Sequence, residues 1–232
     1  MKKENFLGLS ERVIELGKQA EQYLTPYFAR IDEIADYNTQ KVLAAFRAHR
    51  VSDTMFAGTT GYGYDDHGRD TLEEIYADLF GTEAGLVRLG FVNGTHALSC
   101  ALFGALEPGD VMLSVTSAPY DTLLNTVTGD CPGSMKRYGI GYRQVDLKDG
   151  RLDLEAIEKA AAADDVKMVF LQRSRGYAVR QTLSCAEIGE ACAVVRRVNP
   201  NAVIMVDNCY GEFTEELEPT QVGADMCAGS LI

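Results

Sequence analysis

Four stretches place chemically capable residues directly after an apolar run, where a ligand would meet the carboxyl ends of the strands in an open parallel sheet. Asp207 follows four apolar residues in V-I-M-V-D-N-C-Y. Such an acid must find a partner, because an unpaired buried charge is very costly. A helix-capping or structural role meets that need, and so does a cationic ligand, a metal or a cofactor nitrogen. Asn93-Gly94-Thr95-His96 follows another run. Gly94 permits close backbone approach, and a helix opening there offers free N–H groups and a positive dipole end to a phosphate. A strand followed by N-G-T is also a common tight turn. Tyr120, in S-A-P-Y, stands at a helix start, where its ring either stacks on a flat heterocycle or packs half-buried. Gly229 and Ser230 close the last run, small, polar and within reach of a phosphate. Together these supply a phosphate pocket, a stacking ring and an anion for a ring nitrogen.

The elements that would position them follow from periodicity. Residues 5–50 alternate charged and apolar positions, with Val13, Leu16, Ala20 and Tyr23 at helical spacing. A second helix is expected after Pro26, through Ile31, Ile34 and Val42 to Phe46. Residues 58–68 hold four glycines and two tyrosines and read as a loop. Thr71 and Glu74 form a capping-box pattern that predicts a helix start, with an end before Gly81. Beyond 85, short apolar runs alternate with longer periodic ones, the pattern of strands joined by crossover helices. Strands are expected at 86–92, 111–115, 142–147, 168–172, 203–207 and 226–230. Helices are expected at 95–106, 120–128, 154–163 and 185–198, the last with a capping box at Ser184 and Glu187. The expected architecture is an α/β fold, a three-layer α/β/α sandwich with a mostly parallel sheet. A helical arm (1–50) precedes one domain (51–232).

Composition removes several classes. A formal net charge of -12, with no long basic run, argues against a nucleic-acid partner. No apolar run approaches the length of a spanning helix or a signal peptide, so no membrane role and a cytoplasmic location are expected. The six cysteines show no C-x-x-C spacing and are read as small buried thiols. The three histidines show no metal-ligand pattern.

In their order along the chain these features resemble fold-type I pyridoxal-phosphate enzymes with an aspartate-aminotransferase-like large domain. V-D-N at Val206 resembles the V-D-N-T segment of the cysteine and methionine metabolism group, and N-G-T-H-A resembles its S-G-M-x-A phosphate turn. More narrowly, G-Y-G-Y-D-D-H-G-R-D-T-L-E, V-N-G-T-H-A-L and C-A-G-S-L-I resemble the methionine gamma-lyase-like family, also called aluminium resistance proteins. The resemblance implies pyridoxal 5'-phosphate as cofactor and a carbon–sulfur lyase acting on a sulfur-containing amino acid. An aminotransferase or other pyridoxal-phosphate enzyme would use the same half-site, and a catalytically inactive cofactor-binding fragment is the further alternative. It implies that Asp207 pairs with the ring nitrogen, that Tyr120 stacks on the ring, and that Gly94, Thr95 and Ser230 hold the phosphate. Tyr62 and Tyr64 resemble loop tyrosines that reach a neighbouring subunit's cofactor, which implies a homodimer or homotetramer with shared active sites. The family's cofactor-bearing lysine follows the G-S-L-I segment and so falls beyond Ile232, as does its smaller carboxy-terminal domain. None of the eight lysines present follows the last predicted strand. Arg173 and Arg175 are candidates to meet a substrate carboxylate or phosphate, or to be solvated surface.

Overall fold

Alternation along each strand decides which side chains face which layer. A computed structural model describes residues 7–58 and 66–230; the expectations for Tyr62 and Tyr64 lie outside the described residues. Five strands, β1 (Val111–Ser114), β2 (Gly141–Gln144), β3 (Val166–Gln172), β4 (Val203–Asp207) and β5 (Met226–Ala228), form one sheet in the order β2-β1-β3-β4-β5. Every pairing is parallel. Val111, Leu113, Val169, Leu171, Ile204 and Val206 point to one face, packed against α5 (Leu154–Ala161) and α6 (Cys185–Val198) through Ile157, Ile188 and Val195. Met112, Met168, Phe170 and Met205 point to the other, against α3 (Gly94–Ala105) and α4 (Asp121–Thr128) through Leu98, Leu102, Leu123 and Val127. The result is the expected three-layer sandwich, with both faces of a parallel sheet covered.

The chain leaves β1 toward one edge and β3 toward the other, so the loops after these two strands part between them. That divergence is the switch point at which open α/β sheets admit ligands. Tyr120 lies after β1 and Gln172 ends β3.

Three sequence expectations change. The predicted helix pair in the arm is one helix, α1 (Glu11–Ala48), which runs through Pro26. A proline inside a helix loses one hydrogen bond and clashes with the preceding turn, at a cost of roughly 3 kcal/mol. Here the carbonyl left without a donor is that of Gln22, which is exposed and open to water, while Thr25 Oγ1 donates one carbonyl earlier, to Glu21 O at 2.9 Å. The helix predicted from Thr71 is α2 (His67–Phe80), which starts a turn earlier because Asp66 accepts from Arg69 N at 3.1 Å. Residues 86–92 form no strand. A strand needs a ladder partner, and this run has none among the described residues. Val87 N donates instead to Glu73 on α2, which also pairs with Arg88, while Leu86, Leu89 and Val92 are exposed.

α6 opens at the predicted capping box, with Ser184 and Glu187 each bonding the other's backbone. α1 docks on α2 through Val42, Ala45 and Phe46, close to Ile75, Leu79 and Phe80. Among the described residues no helix is long and apolar enough to cross a membrane.

Candidate functional site

Strand parity brings the polar ends of β3 and β4 to the α3/α4 face. Met205 and Phe170 face that layer, so Asp207 and Gln172, two residues on in each strand and paired in register, face it too. Asp207 is 1% exposed. Its Oδ1 accepts from Cys209 N at 3.1 Å, and it takes part in none of the ion pairs found among the described residues. Burial raises its pKa above the usual carboxylate value, against the opposing effect of the Cys209 hydrogen bonds. A desolvated acid without a basic neighbour is a ready receptor for a cation.

Tyr120 lies in the same neighbourhood. Its backbone N–H donates to Gln172 Oε1 at 2.9 Å, and the Gln172 amide donates to Ser174 O, so the end of β3 fixes where the tyrosine sits. Its hydroxyl pairs with Thr95 Oγ1 at 2.9 Å. Burial raises the phenol pKa; the Thr95 hydrogen bond lowers it, and the nearby Asp207, Cys209 and Tyr210 raise it further. Asp207 and Tyr120 therefore share one electrostatic neighbourhood.

The head of α3 completes the cluster. Asn93 caps it by accepting from His96 N at 2.9 Å, and the N–H groups of Gly94 and Thr95 stand ahead of that bond. A Cβ on Gly94 would lie 3.2 Å from Cys209 Sγ and 3.6 Å from Ser230 Cβ. Gly94 thus lets α3 approach the exits of β4 and β5 together. The structure brings Gly94, Thr95, Tyr120, Asp207 and Ser230 to one end of the sheet, beside the switch point.

The next residue along each strand faces the opposite way and does different work. Arg173, one residue after Gln172, is 1% exposed on the α6 side. Its guanidinium donates to Asn208 Oδ1 and Gly211 O at 2.8 Å each, to Glu215 Oε1 at 2.6 Å and to Leu183 O at 3.3 Å. Glu218, fully buried, lies 3.7 Å from it and accepts from Asn208 Nδ2 at 2.9 Å. With its donors committed to the protein, Arg173 is not available to a substrate carboxylate, which corrects one of the sequence expectations; Arg175 is exposed. The cysteine expectation also needs correction. Cys185 and Cys192 are buried, but Cys100 and Cys131 are exposed, and Cys209 and Cys227 are intermediate.

Sequence reasoning missed Gln172, Cys209 and Glu212. Gln172 was discoverable by the strand-end rule that found Asp207. Cys209 and Glu212 lie in an irregular loop with no periodic signal. Two surface depressions, one along Gln40–Arg47 on α1 and one around Phe103 and Tyr138, lie away from this cluster.

The arrangement fits pyridoxal phosphate: a bare acid for a protonated ring nitrogen, an aromatic side chain beside it, and a helix head with close backbone approach for the phosphate. Comparison with known proteins gives a family match. The family model described as methionine gamma-lyase matches residues 13–232. The uncharacterized protein YnbB of Bacillus subtilis is 54% identical over 88% of this chain and 49% of its own length. A solved structure from Clostridium acetobutylicum, described as a proposed cystathionine beta-lyase involved in aluminium resistance, superposes with a TM-score of 0.93. It is 48% identical, over 96% of this chain and 54% of that one. A carbon–sulfur lyase involved in aluminium resistance from Clostridium novyi gives a TM-score of 0.91 at 45% identity, over 96% of this chain and 54% of that one. The chain spans about half the length of the relatives it matches.

Proposed function

Because the chain belongs to the methionine gamma-lyase family, we propose that it forms the pyridoxal-phosphate-binding face of a lyase that cleaves a carbon–sulfur bond in a sulfur-containing amino acid. The observation that carries this reading is Asp207: a buried carboxylate with a raised pKa and no basic partner among the described residues, in the electrostatic neighbourhood of Tyr120. The matched family and the names borne by the Clostridium structures support the reaction class.

Each residue has a physical task. Asp207 holds a proton on the ring nitrogen by lying beside it as an anion, a pairing strengthened by the low local dielectric. Gly94 and Thr95 present backbone N–H groups and the positive end of α3 to the phosphate. Ser230, at the exit of β5, adds a hydroxyl to the same end. Tyr120, pinned by Gln172 and Thr95, presents its ring to the cofactor and keeps water from that face. When bound, pyridoxal phosphate supplies an electron sink for the substrate α-carbon. We further propose homo-oligomers with shared sites, supported by apolar side chains exposed along α1, among them Leu16, Tyr23, Tyr27 and Ile31.

The test uses the whole protein that carries this chain. Incubation with methionine, cystathionine or cysteine should release ammonia, a keto acid and a thiol (hydrogen sulfide from cysteine), with a visible cofactor band that survives dialysis and is fixed by borohydride. Amino transfer to an added keto acid, with no thiol released, would move the protein to a different reaction class. A cofactor lost on dialysis would indicate a binding fragment without lyase activity.

A further inference from the structure

Glu212 has no part in the tasks assigned above, yet its half-buried carboxylate joins the loop after β4 to the exit of β5. Its Oε1 accepts from the backbone N–H of Ser230 at 2.8 Å. Gly229 makes room for that bond, because a Cβ there would overlap the same oxygen. The φ of Gly229 is not in the left-handed region, so alanine meets no backbone objection at that position. The objection is Glu212 alone.

The loop that carries Glu212 is held rigidly from elsewhere. Tyr210 and Phe213, on either side of it, have φ of 70° and 58°, a left-handed backbone that strains a non-glycine residue and persists only where the surroundings enforce it. They are enforced here. Arg173 grips Asn208, Gly211 and Glu215, and Glu218 accepts from Phe213 N at 2.7 Å. Asn38 on α1 donates to Phe213 O and Glu215 O at 3.0 Å each. A Cβ on Gly211 would fall 2.6 Å from Arg173 Cδ, so the cage closes tightly on the loop backbone. A loop fixed in this way cannot follow Ser230; the exit of β5 must follow the loop.

We infer that Glu212 is a positioning residue that ties the exit of β5 to the loop after β4 through the Ser230 amide, and so sets the spacing between Ser230 and the head of α3. That spacing is the width of the anion-binding end, since Ser230 Cβ lies 3.6 Å from the position of the Cβ that Gly94 lacks. The inference rests on the reading that a phosphate occupies that end. What the tie requires is an acceptor oxygen, not a charge, in keeping with the way burial raises the Glu212 pKa.

The experiment combines calorimetric binding of pyridoxamine 5'-phosphate, amide hydrogen exchange at Ser230 and thermal melting. The proteins are the parent, Glu212→Gln, Glu212→Ala, Gly229→Ala and the Glu212→Ala/Gly229→Ala pair. Glu212→Ala and Gly229→Ala should each weaken binding about tenfold, the scale of one lost hydrogen bond, and speed Ser230 exchange while melting stays near the parent's. Glu212→Gln should keep both properties. Gly229→Ala should add nothing in the Glu212→Ala background, because the oxygen it collides with is gone. Parent-like affinity and exchange in Glu212→Ala, or additive effects in the pair, would overturn the inference. Should Glu212→Ala fail to fold, Gly229→Ala set against Glu212→Gln tests the same tie, and parent-like exchange in Gly229→Ala overturns it. If the parent binds no pyridoxamine phosphate, the functional reading fails. Ser230 exchange then decides the tie by itself, and unchanged exchange in Glu212→Ala rejects it.

Discussion

At the residue scale, one group has opposite effects on stability and on binding. Asp207 has a raised pKa in the folded chain, so ionising it opposes folding. Its contribution to stability is present below the ordinary carboxylate pKa of about 3.9 and is lost as pH rises through the higher folded value. Asp207→Asn removes that loss while keeping an oxygen to accept from Cys209 N. At neutral pH the ligand-free variant should be more stable by roughly 1–3 kcal/mol, the scale of one poorly compensated buried polar group. The gain should vanish in acid, as read by denaturant melts from pH 3 to 8. A destabilised variant at pH 7 would mean that the acid has a cationic partner after all. Asp207 and Gly94 were visible in the sequence because each follows an apolar run where only a few chemistries explain the residue. Arg173 was visible as a charge near the site but not as a buried clamp. Its role turns on strand parity, a one-residue step past Gln172 that carries the side chain to the other face, and on a receiving loop, residues 208–218, with no regular pattern to read.

At the element scale, the junction of α1 and α2 carries a pH-dependent contact. His49, just past the end of α1, pairs with Asp78 at 2.6 Å and with Glu74 at 3.3 Å, both on α2. The Asp78 hydrogen bond is the largest influence on its pKa, which is raised above 6.5 despite some loss of hydration. A raised pKa means that the contribution to stability is complete below about 6.5 and fades as pH climbs through the folded value. Melting temperature should therefore fall between neutral and mildly alkaline pH more steeply in the parent than in His49→Gln. Parallel curves for the two proteins would remove His49 from the junction. The strands were legible as short, near-continuous apolar runs, because both faces of this parallel sheet are covered, and α6 was legible from its reciprocal cap, because both signals are local. Residues 86–92 were misread because an apolar run declares burial or pairing without saying which partner provides it. Pro26 was misread because an exposed helix can pass its freed carbonyl to water, a compensation that a rule about buried helix interiors does not anticipate.

At the scale of the whole molecule, the sandwich encloses its core, while α1 holds much of its apolar surface in solvent: Val13, Leu16, Tyr23, Tyr27 and Ile31 are all exposed. Contiguous exposed apolar surface marks a contact site. Sedimentation equilibrium of the chain over a hundredfold concentration range should show self-association, and replacing Leu16 and Tyr23 together by glutamate should abolish it while melting is unchanged. A monomer at all concentrations would remove α1 as a subunit contact. The fold class was readable from the order of runs and crossovers. The path of α1 across the 208–218 loop was not, since the bonds from Asn38 to Phe213 and Glu215 join residues more than 170 positions apart.

The most direct test of the central pairing is equilibrium binding of pyridoxamine 5'-phosphate, which has no aldehyde to react with surface lysines, to the parent chain and to Asp207→Asn at pH 7. Saturable binding at one site, weakened at least about tenfold by the substitution, is the expected result for a charge-assisted contact in a desolvated site. Equal affinity in the two proteins would contradict a contact between Asp207 and the ring nitrogen, and so would no binding to the parent at all.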